Sequence, residues 1–119
     1  KIDGIILTNT TIQNRENLID KNKSEEGGLS GPPLHNISLK FIKNFYKMNK
    51  GKISIIGVGG VDSGQTAFEK IISGASAVQL YTSMVYKGPG IVKEIKKDLV
   101  KILTKEKIKN INEAIGINT

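Results

Sequence analysis

Three short groups of residues in this chain combine glycine amides or polar side chains in patterns that suit ligand binding. They are Thr8-Asn9-Thr10-Thr11, Gly59-Gly60 and Tyr81-Thr82-Ser83. Glycine lets the backbone turn tightly and brings bare N–H groups close to a ligand. An asparagine amide offers both a donor and an acceptor, as a ring with alternating C=O and N–H groups requires. These residue types therefore predict the binding of an anion and of a polar ring.

The glycine pair lies in a stretch, residues 53–64, that predicts a strand, a turn and the start of a helix. Its apolar residues are β-branched and too few for a helix. Asp62 or Ser63 can cap the helix, and Gln65 follows Asp62 by three residues as in a capping box. Unpaired N–H groups at a helix start favour an anion, so the stretch predicts a phosphate cradle. A plain tight turn fits these residues equally well.

The polar group at residues 8–11 follows a predicted strand over residues 2–8, in which Ile5, Ile6 and Leu7 are contiguous and apolar. Sheets and barrels of the α/β class bind ligands at the carboxyl ends of their strands. The group is therefore interpreted as a ligand-binding edge, with Asn9 as its most informative member. The alternative is a hydrogen-bonded turn that only closes the strand.

Composition excludes several kinds of site. The chain has 119 residues, of which 38% are hydrophobic, and this is enough for one domain. It has no Cys, so disulfides and thiolate metal sites are excluded. The only His, His35, follows the proline pair and is interpreted as a loop or capping residue rather than a catalytic base, so a His-ligated metal centre and a Ser-His-Asp triad are both disfavoured. No apolar run is long enough to span a membrane, and the opening residues read as the interior of a longer protein.

The charge pattern argues against nucleic-acid binding. The net charge is +7, and all basic residues are Lys except Arg15. Base readout relies on Arg, and stacking relies on aromatic residues, which make up only 5% of the chain. We expect the lysines to cover solvated helix faces. A Lys-rich nucleic-acid-binding module is the alternative from another class, and it would lose affinity steeply with added salt.

Helical patterns alternate with the predicted strands. A polar loop is predicted over residues 12–26, followed by a glycine- and proline-rich segment. The remaining predicted elements are a helix from Ser38 to about Lys50 with Phe41, Ile42, Phe45 and Tyr46 inward, a strand over 53–58, a helix ending at Gly74, a strand over 75–81, a long helix from Ile91 and a last turn over 112–116. Alternation of this kind predicts parallel βα units.

Three parallel strands cannot close a barrel, which needs eight strands and roughly 250 residues. In (β/α)₈ barrels a phosphate site commonly follows the seventh and eighth strands, beside a short helix. Gly59-Gly60 and Tyr81-Thr82-Ser83 follow the last two predicted strands here. The fold predicted is therefore α/β, the C-terminal portion of a (β/α)₈ TIM barrel with about three βα units, and residues 1–119 form part of one domain.

Four ordered motifs also resemble the C-terminal part of the dihydroorotate dehydrogenase family. They are Asp3-Gly4 through Thr11, Gly27-Gly28-Leu29-Ser30-Gly31 with Pro33-Leu34, Ile55 through Gly60, and Gly74-Ala75-Ser76 through Thr82. The Leu29-Ser30-Gly31 and Leu80-Tyr81-Thr82 forms are similar to the quinone-using, membrane-associated class 2 enzymes. The resemblance covers nearly the whole chain.

The resemblance implies an FMN-dependent barrel that oxidises dihydroorotate to orotate in pyrimidine biosynthesis and passes electrons to quinone. It implies FMN contacts at Thr8, Gly31, Gly60, Tyr81 and Thr82, with phosphate on the amides of Gly60 and Tyr81-Thr82. It implies substrate contacts at Asn9 and Thr10. No metal is implied.

The same resemblance implies that essential parts lie outside this sequence. The family's catalytic base, a Ser, the FMN-contacting Lys and the quinone-binding N-terminal region have no counterpart here, and Ser30 is not at the base position. The chain alone is thus expected to be inactive. It would act with the remainder of the barrel as a peripheral membrane protein, mitochondrial or bacterial. Another FMN- or phosphate-binding TIM-barrel oxidoreductase is the alternative.

Overall fold

The computed structural model describes residues 2–13 and 15–119, and these residues form three successive βα units. The strands are β1 (Gly4–Leu7), β2 (Ser54–Val58) and β3 (Ala77–Gln79). The helices are α1 (His35–Asn49), α2 (Gly64–Ile72), α3 (Thr82–Lys87) and α4 (Ile91–Lys105). Short 3₁₀ helices occupy Lys21–Ser24, Pro32–Leu34 and Ile111–Ala114.

The three strands form one parallel sheet in the order β1-β2-β3. Ile6 pairs with Ile56, and Ile56 pairs with Ala77. The prediction of parallel βα units is confirmed. The strands are shorter than predicted, because only their central residues pair.

Helices cover one face of this sheet and leave the other open. Ile5, Leu7 and Ile55 belong to a core cluster with α1, in which Ile42 and Ile55 are fully buried. On the opposite face Ile6 keeps 56% of its surface exposed, and Ala77 in the same row is exposed as well. Parallel sheets are normally covered on both faces. The open face is the one that points to the interior of a barrel, as expected for part of one.

A second pair of clusters joins β3 to α2 and α4. Val78 contacts both clusters, one centred on Ile91 and Ile95 and the other on Phe68 and Ile71. The predicted apolar stripe of α4 is confirmed by these contacts, and its lysines lie exposed on the other side. Within residues 2–13 and 15–119, no helix is long and apolar enough to cross a bilayer.

The start of α1 differs from the prediction. Ser38 was expected to cap the helix, but α1 begins at His35, directly after the 3₁₀ turn of Pro32–Leu34. Proline fixes φ near the helical value, so the two prolines start the helix three residues earlier. Ser38 is instead fully buried, and its hydroxyl donates to the Val58 carbonyl. Phe41, expected in the core, is 59% exposed.

The start of α2 confirms one of the two predicted caps. Ser63 is the N-cap, and its Oγ accepts from the Thr66 N–H at 3.3 Å. Thr66 completes the capping box, while Gln65 donates to Glu69. The box therefore pairs Ser63 with Thr66 and does not pair Asp62 with Gln65.

Two further segments, α3 and the loop of residues 12–26, can be compared with their predictions. The helix α3 was not predicted, because its six residues are too few to show a helical period. The polar loop of residues 12–26 is irregular apart from the 3₁₀ turn at Lys21–Ser24. Asn14, which falls within that loop, lies outside the described residues.

Candidate ligand-binding cleft

A cleft of about 570 Å³ opens at the carboxyl ends of the three strands. The loops that follow β1, β2 and β3 each contribute to its walls. All seven residues proposed from sequence as ligand contacts lie around it, namely Thr8, Asn9, Thr10, Gly31, Gly60, Tyr81 and Thr82. The structure therefore brings the predicted residues together at one place, as a shared sheet edge requires. Their individual roles stay predictions.

The loop after β1 is folded back onto its own beginning. Thr11 and Leu29 form an antiparallel bridge, with N···O distances of 3.0 and 2.7 Å. Gly28 lies so close to Thr10 that a Cβ at this glycine would overlap the threonine side chain. This contact holds Ser30 and Gly31 beside Thr10, although some twenty positions of sequence separate them.

Arg15, the only arginine, closes the same loop from outside the cleft. Its guanidinium donates to the carbonyls of Glu25 at 2.6 Å and of Gly27. A planar fork of donors suits several carbonyls at once. Arg15 thus holds the loop to itself and is not among the residues that line the cleft.

The loop after β1 and the start of α3 meet in the cleft wall. Ser30 Oγ and Thr82 Oγ1 lie 2.8 Å apart, within hydrogen-bond distance. Gly31 adopts φ +82°, and a Cβ there would come within 3.1 Å of the Thr82 side chain. A glycine is required at this point, since it combines positive φ with a close approach.

The glycine pair after β2 is equally constrained. Gly59 and Gly60 have φ +102° and +71°. A Cβ at Gly60 would lie 2.8 Å from His35 Cβ and 2.9 Å from the His35 nitrogen. Only a residue without a side chain fits at Gly60 against α1, so the turn is held close to that helix while both glycines line the cleft.

The helix whose first residues line the cleft is α3, and the sequence had pointed to α2. Thr82 and Ser83 are lining residues, but none of the residues of α2 is. The N–H groups of Asp62 and Ser63 already donate to Thr66 Oγ1, at 3.0 and 3.1 Å. The capping box therefore engages the two donors that precede α2 and, through Ser63 Oγ, the Thr66 N–H of its first turn. Ser83 Oγ donates to the Val61 carbonyl at 2.6 Å and fixes α3 against the glycine turn.

Asn9 follows the C-terminal end of β1 and lies in a local turn. Its Oδ1 accepts from the Thr10 N–H at 2.8 Å, and Thr8 Oγ1 donates to the Asn9 carbonyl at 3.3 Å. The turn expected as the alternative to a binding edge is thus present, and the same residues also line the cleft. Asn9 still offers its NH₂ group and the second lone pair of Oδ1 to a ligand.

His35 lies behind the glycine turn, at the start of α1. Its Nε2 is 2.6 Å from Glu69 Oε2, and Gln65 donates to the other oxygen of that carboxylate at 2.8 Å. Burial would raise the pKa of Glu69, but the hydrogen bonds from Gln65 and His35, with the charges of His35 and Lys70, outweigh it and lower the pKa. His35 is a helix-start residue that supports the turn and does not line the cleft.

Among the lysines that the structure describes, Lys70 alone is buried, although the lysines were expected on solvated faces. It is 0% exposed, and its Nζ donates to Ser38 Oγ at 3.1 Å. Burial lowers the pKa of its ammonium to about 8, although Glu69 opposes the shift. Ser38 in turn donates to the carbonyl of Val58, the last residue of β2.

Sequence reasoning did not predict the contacts of Lys70, Ser30 and Ser83, although Ser83 belongs to one of the polar groups named from the sequence. A signal for Lys70 was present, because it lies three residues after Ala67 and next to Ile71 on the buried arc of α2. Ser30 and Ser83 gave no such signal, since their contacts join segments that are far apart in the chain.

The parallel sheet, its helices on one face and a cleft at the carboxyl ends of its strands define the chain as part of an α/β barrel protein. Residues 1–103 match the family described as dihydroorotate dehydrogenase. The chain belongs to the dihydroorotate dehydrogenase family.

Individual relatives agree with this assignment. The chain is 46% identical to the mitochondrial quinone dihydroorotate dehydrogenase of Mus musculus over 117 residues, which is 98% of this chain and 30% of that protein. It is 40% identical to the quinone enzyme of Deinococcus radiodurans over 113 residues, which is 95% of this chain and 30% of that protein.

A solved structure matches closely as well. The dihydroorotate dehydrogenase of Eimeria tenella in complex with ferulenol has a TM-score of 0.94 and 46% identity. The match covers 98% of this chain and 31% of that one. The chain thus spans about a third of the length of its relatives, and the predicted partial barrel is confirmed.

Proposed function

We propose that this chain forms part of a quinone-dependent dihydroorotate dehydrogenase, which oxidises dihydroorotate to orotate in pyrimidine biosynthesis. The family assignment and relatives named as quinone enzymes support the reaction and the acceptor. The observation that carries the proposal is the convergence of all seven predicted contact residues on one cleft.

The cleft suits FMN on its own geometry. The positive φ of Gly31 and Gly60, and the missing space for a Cβ at either, let the backbone itself form this part of the cleft wall. Gly60 and Tyr81-Thr82 would hold the phosphate through their N–H groups, and Thr8 and Gly31 would contact the rest of the cofactor. When bound, FMN supplies the redox chemistry, while the protein binds and orients.

Asn9 and Thr10 would orient the substrate. The Asn9 NH₂ group would donate to a ring carbonyl, and the Thr10 hydroxyl can donate or accept. The catalytic base is proposed to lie outside this chain, as is the quinone site. The enzyme would attach peripherally to a mitochondrial or bacterial membrane through that other part.

Ligand stabilisation of the full-length protein tests this proposal. We expect the purified protein to bind FMN, with quenching of flavin fluorescence, and orotate to raise its melting temperature, because ligand binding to the folded state stabilises it. Asn9→Ala should keep FMN and lose most of the orotate shift, with about tenfold weaker binding or more for a lost buried hydrogen bond. Asn44→Ala, at an exposed position of α1, is the matched control.

Two results would speak against the proposal. Binding of FMN without any orotate shift would favour another FMN- or phosphate-binding barrel oxidoreductase. Absence of FMN binding would overturn the cofactor assignment itself.

A further inference from the structure

Behind the glycine turn lies a buried cation that the proposed reaction does not use. The stem of Lys70 runs beneath Gly57, where a Cβ would lie 3.1 Å from Lys70 Cδ. Its ammonium donates to Ser38 Oγ. Among the described residues, Ser38 is its hydrogen-bond acceptor, and no carboxylate lies within 4.0 Å of it.

The same pair of side chains touches every residue from the end of β2 into the turn. Lys70 underlies Gly57, and Ser38 donates to the Val58 carbonyl. A Cβ at Gly59 would lie 3.4 Å from Ser38 Cβ. Val58 and Gly59 line the cleft, whereas Ser38 and Lys70 do not. The ammonium is thus two hydrogen bonds behind the cleft wall.

A buried ammonium without a carboxylate partner is unfavourable by itself. An apolar side chain of the same length would fill the space without the desolvation cost. An anion bound on the other side of the glycine turn would supply the missing countercharge, since Coulomb attraction is weakly screened through the protein interior. The Val58 carbonyl fits this arrangement. Its oxygen carries a partial negative charge and accepts a hydrogen bond from Ser38, on the α1 side of the turn.

We propose that Lys70 is a positioning residue of the phosphate site, which acts through Ser38 and the Val58 carbonyl and whose buried charge strengthens the binding of a phosphate monoester at Gly59-Gly60. This inference rests on the proposed function, because it takes the anion to be the FMN phosphate. Lys70 touches neither cofactor nor substrate.

The test compares FMN with riboflavin, which lacks only the phosphate. Dissociation constants are measured by flavin fluorescence on the deflavinated full-length protein. In Lys70→Met, which keeps the length of the stem, we expect FMN to bind about tenfold more weakly and riboflavin to change by less than about twofold. Lys70→Gln keeps a hydrogen-bond donor without the charge and should behave likewise. If the Lys70→Met variant does not fold, the Lys70→Gln variant provides the test.

Lys47→Met, at an exposed position on α1, removes the same charge from the surface and should leave the FMN-to-riboflavin ratio unchanged. Equal weakening of both flavins, or no weakening, in the Lys70 variants would overturn the inference and leave Lys70 a packing residue. Wild-type protein that binds riboflavin and FMN equally would overturn it as well. Wild-type protein that binds neither flavin would overturn the proposed function together with this inference.

Discussion

At the scale of single residues, the cleft depends on positions where a side chain is impossible. Gly31 and Gly60 combine positive φ with contacts at 3.1 and 2.8 Å to the position of a Cβ. The first approaches Thr82 and the second approaches His35. These two glycines therefore set the distance between the loops of the cleft.

We expect Gly60→Ala in the full-length protein to be more destabilising than Gly88→Ala. Both glycines have similar positive φ, +71° and +74°, so both variants strain the backbone by roughly 1–3 kcal/mol. Gly88 faces open space, whereas Gly60 faces His35, and overpacking adds roughly 1–3 kcal/mol there. Chemical denaturation measures the difference, and equal losses would contradict the contact with His35.

Asn9 shows what residue type alone could and could not predict. Its place at a strand end was readable from the sequence. The hydrogen bond from the Thr10 N–H to Asn9 Oδ1 was not, and it occupies one of the two lone pairs of that oxygen. The local turn is present, the same residues line the cleft, and their role as a binding edge stays a prediction.

At the scale of elements, the start of α3 occupies the place beside the cleft that the sequence suggested for the start of α2. The capping box of α2 engages the N–H groups of Asp62, Ser63 and Thr66, and no residue of α2 lines the cleft. The start of α3 lines the cleft instead. A six-residue helix shows no period in the sequence, and only its docking through Ser83 onto Val61 fixes its place.

The capping box gives a stability prediction at this scale. Ser63→Ala should destabilise the full-length protein by about 1 kcal/mol, because the Thr66 N–H in the first turn of α2 loses its acceptor. Ser76→Ala, at an exposed position before β3, should change stability by less than about 0.5 kcal/mol. Thermal or urea unfolding of the two variants under identical conditions makes the comparison. Similar values for both would mean that the box contributes nothing.

At the scale of the whole molecule, the open face of the sheet dominates. Ile6 is 56% exposed in the middle of β1, and the radius of gyration is 14.9 Å. A compact domain of this length would have roughly 13–14 Å. The molecule is extended because its helices cover only one side of the sheet, in keeping with a match to about 31% of a solved relative.

Residues 1–119 produced alone should not behave as a stable monomer. The uncovered apolar face and bare strand edges favour association or incomplete packing. We expect no cooperative transition in calorimetry and strong binding of a hydrophobic dye. A monomeric protein with a single sharp transition would contradict this expectation, and the full-length protein serves as the positive control.

The sequence by itself determined the alternation of strands and helices, the parallel α/β class and the polar strand ends, because periodicity and glycine placement are local properties. It also placed Thr8, Asn9, Gly60 and Tyr81 as residues of one rim, since parallel strands end at one edge. Only the tertiary structure decided that α3 rather than α2 opens onto the cleft and that Lys70 lies buried behind Ser38. The place of α3 depends on contacts between segments distant in the chain, for which no local pattern exists. The position of Lys70 on the buried arc of α2 was readable from helical spacing, but its partner Ser38 lies 32 positions earlier in the chain.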